Sequence, residues 1–129
     1  MTTELCMLAW SVVLGLVQVA ITATCMVGQR GLVWAASPRD EIRPPLGGIG
    51  GRLDRARANF LETFPLFAAV VLVAHLLQRH SDMTVLGAEL YFWARLAYVP
   101  VYAAGIPYLR TLIWTASIAG IVLVLAALF

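Results

Sequence analysis

Residues 51–77 read GRLDRARANFLETFPLFAAVVLVAHLL, a segment that begins as a charged helix and passes without a break into an apolar one. Its second part, Phe60 to Leu77, is about long enough to cross a ~30 Å hydrocarbon core. The polar residues that precede and enter this run are ordered. A helix turning about 100° per residue brings Arg52, Arg55, Asn59, Glu62 and Thr63 into a sector of roughly 100°. Asp54 and Arg57 project to the other side at i and i+3, where they can pair with each other or reach lipid headgroups. From Arg52 to Glu62 the helix climbs about 15 Å, so the last members of the strip lie within the hydrocarbon zone.

Three further apolar runs, Leu5 to Val27, Val85 to Ile106 and Leu112 to Phe129, flank this one in a chain of 129 residues. The first is longer than a signal-peptide core and is preceded by Glu4 rather than by basic residues, so it reads as a retained helix. The sequence therefore predicts an all-α integral membrane four-helix bundle in one domain, 1–129, with spans at about 5–28, 55–78, 84–106 and 110–129. Composition agrees: 61% of residues are apolar and 12% charged, against roughly 45 to 50% apolar in a soluble domain. The net charge of +2 comes from nine basic residues, all arginine, and seven acidic ones. It is too small and too clustered for a nucleic-acid partner.

Orientation follows from the arginines. The segment GQRGLVWAASPRDEIRPPLGGIGGR, residues 28–52, is too rich in glycine, proline and charge to satisfy its backbone in lipid and reads as a solvated loop. Arg30, Arg39, Arg43, Arg52, Arg55 and Arg57 lie in or beside it and Arg110 lies in the third-to-fourth connection, whereas the opposite side offers only Arg79. The positive-inside tendency makes both of these loops cytoplasmic and places both termini on the opposite side. The glycines of GGIGGR are not followed by a Lys-Ser or Lys-Thr pair, so no phosphate loop is expected. Cys6 and Cys25 would stand about 28 Å apart on one helix, which excludes a disulfide between them. His75 and His80 read as isolated interfacial side chains, and no metal-ligand spacing is present.

The third apolar run carries the second polar motif. In YFWARLAYVPVY, residues 91–102, Tyr91, Arg95, Tyr98 and Tyr102 fall within about 60° of one another on a helix. Pro100 should kink this helix, and Gly105 with Pro107 should end it just before Arg110. A charge near the bilayer centre costs at least about 2.5 to 3.5 kcal/mol, so Glu62 and Arg95 should face a protein interior or a wet cavity. An internal ion pair, Arg55 or Arg95 with Glu62, would meet that demand structurally. Yet the sector holds Arg52, Arg55 and Arg95 against Glu62 alone, leaving surplus positive charge. An anionic occupant would balance it, with carboxylates on the arginines, an amide on Asn59 and an ammonium group on Glu62. A small anionic peptide meets these demands better than a lipid headgroup does.

The spacing R-x-x-R-x-x-x-N-x-x-E at Arg52–Glu62, followed by an aromatic residue and Pro65, resembles the signature of MAPEG proteins, the membrane-associated proteins in eicosanoid and glutathione metabolism. Y-x-x-x-R-x-x-Y-x-x-x-Y at Tyr91–Tyr102, with an arginine soon after, is similar to the same family, and the likeness spans Leu5 to Phe129. It implies a homotrimer of four-helix subunits with glutathione, as co-substrate, between neighbouring subunits near the cytoplasmic side. By similarity Arg30, Arg55, Asn59, Glu62, Arg95, Tyr98 and Tyr102 would bind the tripeptide, and Arg110 would be the thiol-activating catalytic residue. No metal is implied. The expected activity is a membrane-bound glutathione transferase or peroxidase acting on lipophilic electrophiles, a detoxification chemistry. The alternative is a non-catalytic lipid-binding or scaffold protein of the same fold. Thr63 stands where conjugating relatives often have tyrosine, and Arg57 where they often have glutamine.

Overall fold

The computed structural model describes residues 1–129 and is built of helices joined by short connections. Four long helices, α1 (Thr3–Arg30), α3 (Gly48–Leu76), α4 (Asp82–Ala104) and α5 (Pro107–Ala126), are accompanied by one short turn of helix, α2 (Leu32–Ala36). Local sequence sets their ends. The Thr2 hydroxyl accepts from the Leu5 amide at 3.3 Å and caps α1. Ser81 and Thr84 form a reciprocal capping box at the start of α4. Gly105, at φ 77°, takes the left-handed conformation that closes α4, and Pro107 opens α5 where its missing N–H costs nothing.

The helix bounds differ from the apolar runs at one important end. α3 begins at Gly48, several residues before the stretch expected to enter the membrane, so GGIGGR is largely helical rather than loop. Arg52 and Arg55 thereby stand on a rigid element, and residues 31–46, including α2, form the remaining connection. The loop is held by Gln29, whose amide accepts from the Gly47 N–H at 2.9 Å and donates to the Gly47 carbonyl at 3.1 Å.

α1, α3 and α5 are each long and apolar enough to cross a membrane. Large apolar side chains including Leu16, Leu66, Leu112 and Val122 are exposed along their lengths, a surface suited to lipid or to other membrane helices. Inside, Phe67 stacks on Tyr91 at 4.0 Å between centroids, within a core that includes Phe60, Val71, Ala88, Ile121 and Val124. The Tyr91 hydroxyl lies 3.0 Å from that of Thr63. Both residues are therefore core members, turned away from the polar strip to which their helical angle alone assigned them.

α4 and α5 come close enough for their backbones to touch. A methyl group on Gly120 would meet the Gly87 carbonyl oxygen at 2.6 Å, and one on Gly87 would meet the Gly120 carbonyl oxygen at 2.6 Å. Small residues let backbones touch in this way where no hydrophobic force draws helices together in lipid. At the far end of the bundle, Glu4 is 2% exposed, and its carboxylate accepts from the Thr84 hydroxyl while standing 3.2 Å from His80 Nδ1. The expectation of isolated histidines is corrected: His80 ties α1 to the α3–α4 turn, and the His75 ring stands edge-on to it at 5.7 Å. A residue in a turn can reach a helix terminus far away in sequence, which spacing does not reveal.

Gly120→Ala should lower stability by about 1–3 kcal/mol through forced separation of α4 and α5, measured by equilibrium unfolding in mixed micelles. Glu4→Ala should cost about 2 kcal/mol in the same assay, through loss of a buried charge-assisted hydrogen bond, with Glu4→Gln milder because it keeps an acceptor for Thr84.

Candidate functional site

The strip on α3 and the tyrosines of α4 meet at the end of the bundle where α5 begins. Arg52 Nη1 donates to the Ala103 carbonyl at 3.1 Å, linking the first turns of α3 to the last turn of α4. One turn further on, Arg55 Nε donates to the Tyr102 hydroxyl at 3.2 Å. The Arg110 guanidinium, brought over by the Gly105–Pro107 turn, lies 4.7 Å from the Tyr102 ring centroid. Tyr102 thus stands between two cations, one on its hydroxyl and one on its face. Tyr98 follows at 5.6 Å from Tyr102, centroid to centroid.

These groups line two adjoining clefts. One, of about 250 Å³, is walled by Arg55, Asn59, Tyr98, Tyr102, Arg110 and residues of the next turn of α5. The other, of about 280 Å³, is walled by Arg52, Arg55, Tyr102, Arg110 and the Gly105–Pro107 turn. No acidic side chain lines either cleft, and the Oδ1 of Asn59 is buried without a hydrogen-bond partner. Like charges held this close repel unless an anion lies among them. The arrangement suits a ligand with carboxylate or thiolate groups, and Tyr98, Tyr102 and Asn59 can add neutral hydrogen bonds.

Arg95 behaves differently. It is 1% exposed, its guanidinium lies 4.3 Å from the Tyr98 ring centroid and 5.8 Å from that of Phe60, and none of its three nitrogens has a hydrogen-bond partner. It lines neither cleft, and supports the site from behind Tyr98. Glu62 is exposed on α3 and bonds to neither Arg55 nor Arg95, so the internal ion-pair reading fails within one chain. The salt bridge on this helix is instead Arg57 to Asp54, at 2.8 Å.

Arg30 is also set apart. Its Nη2 donates to the Pro44 carbonyl at 2.7 Å, its guanidinium packs 4.9 Å from the Trp34 ring, and it lines a separate cleft of about 410 Å³ with Arg39, Asp54 and Arg57. One chain therefore brings together Arg55, Asn59, Tyr98, Tyr102 and Arg110, but not Arg30, Glu62 or Arg95. Thr111 and Trp114, which also line the first cleft, were not among the expected site residues. Trp114 carries a signal in its position, since a helix places i+4 above i, whereas Thr111, at i+1 from Arg110, carries none.

No curated protein matches the chain. The family model for MAPEG matches residues 7–129, nearly the full length and including every polar residue of both strips. With this match and the helical architecture described above, the chain belongs to the MAPEG family.

Proposed function

We propose that the protein is a membrane-bound glutathione-dependent transferase or peroxidase for lipophilic electrophiles, working as a homotrimer of four-span subunits. The observation that carries this reading is the cleft in which Arg55 and Arg110 converge on Tyr102 with no acid to neutralise them. Family membership supports glutathione as the anion, since MAPEG proteins use it. α4, with 23 residues, is long enough to be the fourth span. In that arrangement the arginine-rich connections face the cytoplasm and the termini the other side.

The separation of Arg30 from Arg55 supports binding between subunits. A cleft with Arg30 and Arg57 on one copy, set against the Arg55–Arg110 cleft of the next, makes a contact between two unlike surfaces. Such contacts, repeated by rotation, close into rings. The same contact covers Glu62, which is exposed on one chain, and leaves its carboxylate for the ammonium group of the tripeptide. Arg30, Arg55, Asn59, Glu62, Tyr98 and Tyr102 then hold the ligand, while Arg95 orients Tyr98.

Arg110 supplies the chemistry. Bringing a thiol from a pKa of ~8.5 to ~6.5 takes about 3 kcal/mol of thiolate stabilisation. A guanidinium about 4 Å away, at an effective dielectric of ~20, attracts the thiolate by about 4 kcal/mol before desolvation is subtracted. Thiolate sulfur then attacks the electrophile arriving through the membrane. In conjugation, the S–C bond forms as the leaving group departs with its electron pair. In peroxide reduction, sulfur takes one oxygen of the O–O bond and the other leaves as alcohol, with a second glutathione thiol completing the disulfide and releasing water.

A binding-only role is the second reading. It is favoured by Thr63, whose hydroxyl is taken up by Tyr91 and the Phe60 carbonyl and so offers nothing to the cleft. Purified protein with glutathione and a chloronitrobenzene separates the two: turnover supports the enzyme, whereas thermal stabilisation by glutathione without turnover sinks it. Arg110→Ala should lower kcat/KM about 100-fold and move the acid limb of the pH profile up by about 2 units. The sign follows from linkage: a thiol pKa depressed by Arg110 keeps the thiolate present at lower pH, and that advantage disappears with the cation. Co-expressing Arg30→Ala with Arg110→Ala should restore about a quarter of the sites, half times half, if the ligand lies between copies. No restoration would confine the site to one subunit.

A further inference from the structure

The first cleft is built in two layers. Arg55, Tyr102 and Arg110 form the one nearer the Gly105–Pro107 turn. Asn59 on α3, Tyr98 on α4 and Trp114 on α5 each stand four residues further from that turn along their helices and form the inner one. A rise of ~1.5 Å per residue puts about 6 Å between the layers. The second cleft reaches the outer layer only, adding Arg52 and the turn itself. Charge changes across the step: both cations of the first cleft lie in its outer layer, and the inner layer carries no charged side chain. A thiolate held at Arg110 therefore meets its reaction partner against Asn59, Tyr98 and Trp114.

Of the three aromatic rings that line this cleft, two are already engaged. Tyr102 has the guanidinium groups of Arg110 and Arg55 at 4.7 and 5.9 Å from its centroid, and Tyr98 lies between Arg95, at 4.3 Å, and Tyr102, at 5.6 Å. Tyr98 is also only 4% exposed, so it is a fixed wall. Trp114 differs on both counts. It is 36% exposed, and neither a ring nor a cation of the chain packs against it. An indole with open faces offers a planar ligand more than contact area, because offset stacking of two rings adds to burial. Lipid chains would cover the same carbon surface, but a tryptophan serving only as a lipid contact has no need of a cationic layer one turn away.

We infer that Trp114 determines which electrophile is used: planar conjugated ones, activated arenes and enones, stack on its indole beside the thiolate, whereas saturated hydroperoxides gain nothing from it. This inference rests on the reading of the cleft as the glutathione site. When sulfur attacks such a ligand, the S–C bond forms as an electron pair moves into the conjugated system and onto its nitro or carbonyl oxygens. In an arene the pair returns to expel the leaving group, and in an enone the carbon beside the carbonyl takes a proton from water. Tyr98 and Asn59, in the same layer, are neutral groups able to donate to those oxygens. The specificity is thus for conjugation over peroxide reduction.

The test uses the whole oligomer in detergent. Meta-dinitrobenzene has the ring of an activated arene but no halide to lose, so it reports binding without turnover. With glutathione present it should quench, saturably, the emission of one of the chain's four tryptophans. Trp114→Phe keeps a ring but removes that fluorophore, and should abolish the saturable part. In turnover, Trp114→Leu should lower kcat/KM for chlorodinitrobenzene about ten-fold more than for tert-butyl hydroperoxide, mainly through KM, and Trp114→Phe should recover most of the difference. Strictly linear quenching of the unmodified protein would overturn the inference. So would an equal fall with both substrates, which is what a loss of packing alone produces. If neither substrate turns over, the transferase reading fails, while saturable quenching that Trp114→Phe abolishes still places an aromatic ligand on this residue. If Trp114→Leu fails to assemble, the quenching of the unmodified protein against Trp114→Phe decides.

Discussion

The constraint on which the rest of this structure depends is the cost of holding guanidinium groups inside an apolar bundle. Where packing takes an arginine out of water, fully at Arg95 and partly at Arg52 and Arg110, its charge must be met by carbonyls, hydroxyls, aromatic faces or a ligand. The chain uses the first three in turn. Arg52 is met by the Ala103 carbonyl, Arg55 by the Tyr102 hydroxyl, Arg95 by the faces of Tyr98 and Phe60, and Arg110 by the face of Tyr102. None of these partners carries a formal negative charge. The positive field is therefore organised but not neutralised, which is how a scaffold is prepared for an anion.

The helices are arranged to make that field possible. Gly87 and Gly120 bring α4 and α5 into backbone contact, and the Gly105–Pro107 turn returns the chain so tightly that Arg110 lies against a residue of the preceding helix. Tyr91 and Thr63 satisfy each other in the core beneath the cleft, with Phe67 stacked on the tyrosine. The opposite end is fastened separately by Glu4, Thr84 and His80. Polar chemistry is thus densest at the two ends, and the aromatic and aliphatic core between them encloses a few buried polar side chains, Thr63 and Arg95 among them.

Much of this was legible in the residues themselves. Apolar length announces helices in a membrane, and the 3.6-residue period groups Arg52, Arg55 and Asn59 on one face and Tyr98 with Tyr102 on another, because both properties are local. The i, i+3 pair of Asp54 and Arg57 is local too, and it forms. The end of α4 at Gly105 follows from the conformational freedom of glycine and the missing N–H of Pro107.

What periodicity could not supply is which members of a face turn toward which neighbour. Tyr91 shares its angular sector with Tyr98 but sits two turns deeper, where Phe67 and Thr63 claim it, and Glu62 shares one with Arg55 but emerges on the outer surface. Arg30 and Arg55 read as members of one set, yet the packing of α1 on α3 puts them in separate clefts. The sequence by itself determined that this chain is a helical membrane protein of the MAPEG family with two polar strips, because segment length, hydropathy and spacing are properties of the chain taken in order. Only the tertiary structure decided that Arg55 and Arg110 share Tyr102, that Arg95 is enclosed by rings and that His80 meets Glu4. Those pairings depend on helix crossing and rotation, which contacts distant in the chain determine together.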